Sequence, residues 1–236
     1  MQPWSREQFV DTLAQVGRKE YHDRHAFHQL LHAGKLSREQ IQCWVANRFY
    51  YQKNIPIKDA LLISRCPLGE VRRHWVQRII DHDGTDSEPG GIEKWLRLGE
   101  GVGLVRNDLE ADCLLLPAVR YAVNAYVQFV ASHSWIEGVA SSLTEMFAPQ
   151  LMQDRLAALE RHYQWIDPNA FAYFRSRPPL ATRDSANGLA TVVDHCVTWD
   201  QQQSAVAALQ FKCEVLWAQL DAVYYHCVDC RVEEAL

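Results

Sequence analysis

Between residues 40 and 59 the apolar positions Ile41, Trp44, Val45, Phe49 and Ile55 recur at a spacing that builds one buried helical face. Arg48, Gln52, Lys53 and Lys58 are set into the same stretch, beside Tyr50 and Tyr51. Arg48 and Gln52 lie one turn apart, so their side chains share a direction. Two readings follow. The cations can run over the rings with their heads in water, or they can line a pocket for a planar anion, with rings to stack on and cations to pair its carboxylates.

The rest of the chain repeats the helical period. Residues 5–16 read as a helix opened by Ser5 and Gln8 in capping-box spacing, with Gly17 as its stop. Histidines at 22, 25, 28 and 32 follow, and His25, His28 and His32 share a face. A metal there would want carboxylate or thiolate partners, so histidines bonded within the core, one of them free to act as acid or base, are the expectation. SREQ at 37–40 is a second capping box. After Pro67 the apolar face is Val71, Trp75, Ile79 and Ile80, and Arg78 and His82 project together, with Asp81 and Asp83 flanking the imidazole. The GEGVG run after the 92–98 helical stretch follows no strand, so it is no dinucleotide loop. Residues 114–135 form a long apolar helix carrying Tyr126. Small residues then lead to Thr144 and to Glu145, which if buried must be paired or protonated. An amphipathic stretch carries Arg155. Proline-rich 175–184 reads as a break before a helix over 184–199. In the last helix, from 201, Lys212 interrupts Leu209, Phe211, Val215 and Leu216: it snorkels, or it occupies a built site with a perturbed pKa. With no strand alternation the chain is all-α, a compact bundle.

Composition narrows the partners. The 236 residues suit a single domain spanning 1–236. A net charge of −5 speaks against nucleic acid, yet residues 41–83 hold seven Lys or Arg against four Asp or Glu, a local cationic patch suited to a small anion. The opening residues lack a secretory h-region, and no run approaches the ~20 apolar residues of a membrane span. Seven scattered cysteines read as reduced thiols, and the Cys227–Cys230 spacing as incidental.

Seven segments carry a resemblance together: YHDRHAFH (21–28), WVANRFYYQKNIPIKDA (44–60), RRHWVQRIIDHDG (72–84), GGIEKWLRLGE (90–100), SSLTEMFAP (141–149), FRSR (174–177) and LQFKCEVLWAQLDA (209–222). In content and order they resemble the pyrroloquinoline quinone synthase family. The resemblance implies a seven-helix, heme-oxygenase-like (TenA-like) bundle, cytoplasmic and homodimeric, without metal or organic cofactor. It implies an oxidase of the final step of pyrroloquinoline quinone biosynthesis: ring closure and dioxygen-dependent oxidation of a tricarboxylate amino-quinone precursor, with release of hydrogen peroxide. Carried over by motif, the catalytic positions are His22, His82, Lys212, Arg175 and Tyr126. The substrate-binding positions are Tyr21, Arg48, Gln52, Lys58, Arg78, Thr144, Glu145 and Arg155. Three departures stand out: Met152 where the family has a histidine, Phe171 where it has a tyrosine, and Ala26 where it has a proline. The first two delete proton-competent groups, which leaves open a member that binds the quinone or its precursor without full turnover. A metal-dependent oxygenase on the same scaffold fits less well, since no paired Glu plus Glu-x-x-His pattern is present. What accepts the product is also open.

Overall fold

The protein is described here by a computed structural model, which covers residues 1–229. Each helix start follows local chemistry. Helix α1 (Arg6–Glu20) is opened by the Ser5–Gln8 capping box, α2 (Ala26–His32) by His25, whose Nδ1 accepts from the Phe27 N–H, and α3 (Arg38–Arg65) by the Ser37–Gln40 box. There follow α4 (Gly69–Asp83), α5 (Gly91–Gly101), α6 (Arg106–Glu110), α7 (Pro117–Ser132), α8 (Trp135–Ser141), α9 (Ala148–His162), α10 (Ala172–His195) and α11 (Trp199–Tyr224). Short 3₁₀ turns occupy His22–Arg24, Ser142–Met146 and Pro168–Phe171, and a π turn spans Tyr225–Asp229.

The expected all-α class holds, with eleven α-helices among the described residues in place of seven, several of them short pieces such as α2, α6 and α8. Two expected boundaries are corrected. Helix α1 passes through Gly17 because the glycine admits the Phe147 ring: an added Cβ would lie 2.0 Å from its Cζ. Helix α10 passes through Pro178 and Pro179, where a break was expected. Each proline removes one helical hydrogen bond, but Tyr173, Phe174, Arg177, Ala181 and Asp184 all bury their side chains on one stripe, and that burial outweighs the loss.

Helix α3 is the centre of the packing, lying against α4, α5 and α7, while α11 lies against α1, α7 and α8, and α10 against α9. Trp44 of α3, Trp95 of α5 and Phe174 of α10 meet at ring-centroid distances of 5.7–6.4 Å. The Trp95 indole N–H donates to the Val45 carbonyl at 2.9 Å, so the polar edge of this fully buried ring is satisfied. The cysteine expectation is corrected in one place: Cys43 of α3 is bonded to Cys227 of the π turn, 184 residues away, while Cys66, Cys113, Cys196 and Cys213 are free thiols. Sequence spacing could not show this pairing, since its partner lies at the other end of the chain. Cys230 lies outside the described residues. Among those residues no helix is long and apolar enough to cross a membrane.

Candidate active site

The face of α3 that looks inward reads Arg48, Tyr51, Gln52, Ile55, Lys58, Asp59, a continuous i, i+3, i+4 stripe. Opposite it α11 presents Lys212, Leu216 and Gln219, and α10 presents Tyr173, Arg177 and Asp184. The 142–146 turn supplies Thr144 and Glu145, α9 supplies Met152 and Arg155, and the turn after α1 supplies Tyr21 and His22. Between them lies a narrow cleft, walled by Tyr21, His22, Arg48, Tyr51, Thr144, Glu145, Met152, Tyr173 and Arg177 among others.

The cations divide into two sets. Lys58, Arg78 and Arg177 are matched by three carboxylates in a buried network. The Lys58 Nζ stands 2.5 Å from Asp59 Oδ1 and donates to Ser142 Oγ at 2.9 Å. Arg78 reaches Asp184 at 2.6 Å, Asp59 at 3.3 Å and Glu145 at 3.5 Å, and Arg177 reaches Glu145 at 2.7 Å. Burial alone would push the Glu145 carboxyl up, but Arg177 and Arg78 hold it down at about 2, so it is ionised.

Arg48, Arg155 and Lys212 form the second set. None has a carboxylate partner among the described residues. The Arg48 guanidinium lies 3.9 Å over the Tyr51 ring and donates to Gln219 Oε1 at 3.4 Å. Arg155 donates to His28 Nε2 at 2.9 Å and to the Met152 sulfur at 3.7 Å, over Trp44. Lys212 is 1% exposed; its Nζ has no hydrogen-bond partner among the described residues and rests 3.5 Å over Tyr126 and 4.1 Å over Tyr51. Rings of this kind are the weakest of cation partners. Burial, then the nearby Arg48 and Lys58, push the Lys212 ammonium well below the ordinary lysine range, and burial and Arg48 bring Arg155 down to about 10. Of the two readings of Lys212, snorkelling is excluded.

The imidazoles of His82, His22 and His28 are neutral at ordinary pH. Burial, then Arg177 and Arg78, lower His82 to about 4. Its Nδ1 pairs with the Arg78 carbonyl at 2.8 Å, which makes Nδ1 the protonated nitrogen and leaves Nε2 as an acceptor. Asp81, expected beside this ring, instead pairs with Arg183. Burial, then Arg48 and Arg155, lower His22 well below its usual value, and its Nδ1 has no partner. His28 donates from Nδ1 to the His22 carbonyl at 3.0 Å and so offers Nε2 to Arg155. His25 meets Asp221 at 3.0 Å. Among the described residues no three His, Cys, Asp or Glu side chains gather as a metal would require.

Two expected positions do not reach the cleft. Arg175 is on the surface, paired with Glu160 at 2.7 Å and bonded to the Pro168 carbonyl. Phe171 is buried under α9, beside Leu159 and Tyr163. The corresponding groups stand two residues on: Arg177, and Tyr173, whose hydroxyl donates to Gln52 Oε1 at 3.1 Å. A two-residue shift rotates a side chain by about 200° around a helix, so misphasing α10 by two positions exchanges inside for outside. The phenol that seemed lost at position 171 is therefore present. Tyr126, Thr144, Met152 and the remaining expected residues do converge on or behind the cleft; Lys53 turns away to Asp112. Tyr173, Arg177, Asp59 and Asp184 were missed by sequence reasoning, while Tyr51 and His28 were noted without being placed among the site residues. The i, i+3, i+4 stripe of α3 could have flagged Tyr51 and Asp59.

Known proteins with this sequence pattern are close. The chain is 53% identical over 203 residues to a pyrroloquinoline-quinone synthase of Pseudomonas syringae pv. tomato, covering 86% of this chain and 81% of that protein. It is 52% identical over 218 residues to the enzyme of the same name from Pseudomonas aeruginosa, covering 92% and 87%. Among solved structures, a heme oxygenase-like domain of unknown function from Shewanella denitrificans superposes with a TM-score of 0.73 at 14% identity, covering 93% and 90%. A TenA homolog from Pseudomonas syringae pv. tomato gives 0.72 at 11%, covering 92% and 91%. These two establish the heme oxygenase-like fold. The model of the TENA/THI-4/PQQC family matches residues 11–222, and the chain is a member of that family.

Proposed function

We propose that this chain is a pyrroloquinoline-quinone synthase, an oxidase that carries out ring closure of a bicyclic tricarboxylate amino-quinone precursor and oxidises it with dioxygen, releasing hydrogen peroxide. The observation that carries the reading is a set of basic side chains, Arg48, Arg155 and Lys212, that have no carboxylate partner among the described residues and stand around a ring-lined cleft. Three such groups, with Lys212 taking up its proton as the ligand binds, suit three carboxylates of a flat ligand. The relatives' name supports the same substrate class.

Each step falls to groups already in position. Arg48 and Tyr51 clasp the ring system by charge and stacking. Ring closure and aromatisation remove protons; His82 and His22, held neutral, accept them. The reduced ring then gives electrons to dioxygen directly, and Lys212, beside Tyr126, stabilises the charge that develops on oxygen. Tyr173, a cleft-wall phenol aligned by Gln52, is the group assigned to relay a proton. This catalysis uses no metal or organic cofactor, in one domain that acts in the cytoplasm. A homodimer is part of the reading: Ile57 of α3 and Val76 and Ile80 of α4 leave apolar surface for a second copy, which sedimentation would detect.

Anaerobic mixing with the precursor followed by dioxygen should produce the quinone absorbance and peroxide. Binding without either product over many hours would sink the reading in favour of a second, a quinone-binding member with impaired turnover. Met152 motivates that second reading, since a thioether stands where an imidazole was expected. Phe171 no longer does, because Tyr173 supplies the phenol.

A further inference from the structure

We propose that Met152 is a site of self-modification, where hydrogen peroxide formed in the cleft oxidises the thioether to the sulfoxide and Arg155 holds the new oxygen. The inference rests on the chain being a peroxide-releasing oxidase and adds a fate for the product that the reaction itself does not require.

The geometry is specific to one sulfur. Met152 lines the cleft, is 6% exposed, and accepts an Arg155 N–H at 3.7 Å. A thioether is a weak acceptor, whereas a sulfoxide oxygen is a strong one, so the product of oxidation is better matched to that guanidinium than the thioether is. The step balances without another reactant. A sulfur lone pair attacks one oxygen of hydrogen peroxide, the O–O bond breaks, and the S–O bond forms. The departing hydroxide takes the proton shed by the transferred hydroxyl and leaves as water. Sulfur loses two electrons and peroxide gains them. The Arg155 N–H groups beside the sulfur stabilise the negative charge on the departing oxygen.

Confinement makes the modification selective. Peroxide released in the cleft meets the Met152 sulfur, which lines that cleft, before it dilutes into solvent. The chain has three methionines, and the other two serve as internal references. Met1 is 96% exposed and meets bulk peroxide first, while Met146 packs against the core. Once formed, the sulfoxide competes with ligand carboxylate for Arg155, whose other terminal nitrogen already donates to His28.

The test runs the full-length enzyme through many turnovers with precursor and dioxygen in the presence of catalase, which removes bulk peroxide, and maps each methionine peptide by mass. Met152 should gain one oxygen in proportion to turnover while Met1 does not, and the modified enzyme should bind quinone about tenfold more weakly. In Met152→Leu, measured against its own initial rate, the decline in rate with successive turnovers should vanish. Quinone and peroxide formed in full yield with Met152 intact, or with Met1 modified first, would overturn the inference and leave the functional reading standing. A decline that persists unchanged in Met152→Leu would overturn it too. Failure to form quinone or peroxide at all would overturn both.

Discussion

A single ammonium group shows how the site is poised. Lys212 is held among rings with Arg48 and Lys58 nearby, and its pKa is depressed. In the window between that value and 10.5 the unfolded chain binds the extra proton, so this residue destabilises the free protein at neutral pH. Lys212→Met should therefore raise the stability of the free protein by about 1–3 kcal/mol while weakening quinone binding at least tenfold; denaturant melts and titration read the two effects, and a variant that loses both stability and affinity would contradict the account. Binding of the quinone should also take up a proton at neutral pH, because its carboxylates restore the pKa of Lys212. Calorimetry in buffers of different ionisation enthalpy measures that uptake. His82 gives a second sign. Its folded pKa of about 4 lies below 6.5, so its contribution is complete above pH 6.5 and is lost as pH falls toward 4, by about 3 kcal/mol. The pH slope of stability should be shallower over that interval in His82→Gln. The types of these residues were legible in the sequence; their partners were not. Arg78 is neutralised by Asp59 together with Asp184, and Asp184 lies 106 residues away, a separation no local spacing can encode.

At the scale of the element, α10 decides what the reaction has to work with. Its buried stripe of Tyr173, Arg177 and Asp184 follows positions i, i+4 and i+11, close to one line on a helix. Tyr173→Phe should slow oxidation by on the order of 10²-fold with little change in quinone affinity. Phe171→Tyr and Arg175→Ala should leave the rate within twofold, since neither position faces the cleft. A strong effect at Arg175 in a stopped-flow assay would refute this phasing of the helix. Asp184→Ala should destabilise by about 3–5 kcal/mol, because it strands the Arg78 charge in the interior. The helices with capping boxes and clean apolar periods, α1 and α3, were readable in advance, apart from their ends. Helix α10 was not, because local propensity treats Pro178–Pro179 as a break, and only the packing of distant Trp44 and Trp95 on Phe174 overrides it.

Across the whole molecule, α3 and the turn after α11 are tied together across 184 residues of sequence. Cys43 begins the turn of α3 that leads to Arg48, and Cys227 closes the turn that follows α11, the helix of Lys212 and Gln219. Such a long closed loop is worth about 2–5 kcal/mol, so Cys43→Ser or a reductant should lower the melting temperature by several degrees. Oxidised and reduced protein that melt together would show that the crosslink constrains little. The bond also sets the sliding register between α3 and α11, and the Arg48–Gln219 contact at 3.4 Å reports on that register. Thiol reagents customarily added during purification would then alter what is being assayed: preparations kept with dithiothreitol should require more substrate for half-maximal rate than those kept without it, while their maximal rate stays closer to unchanged.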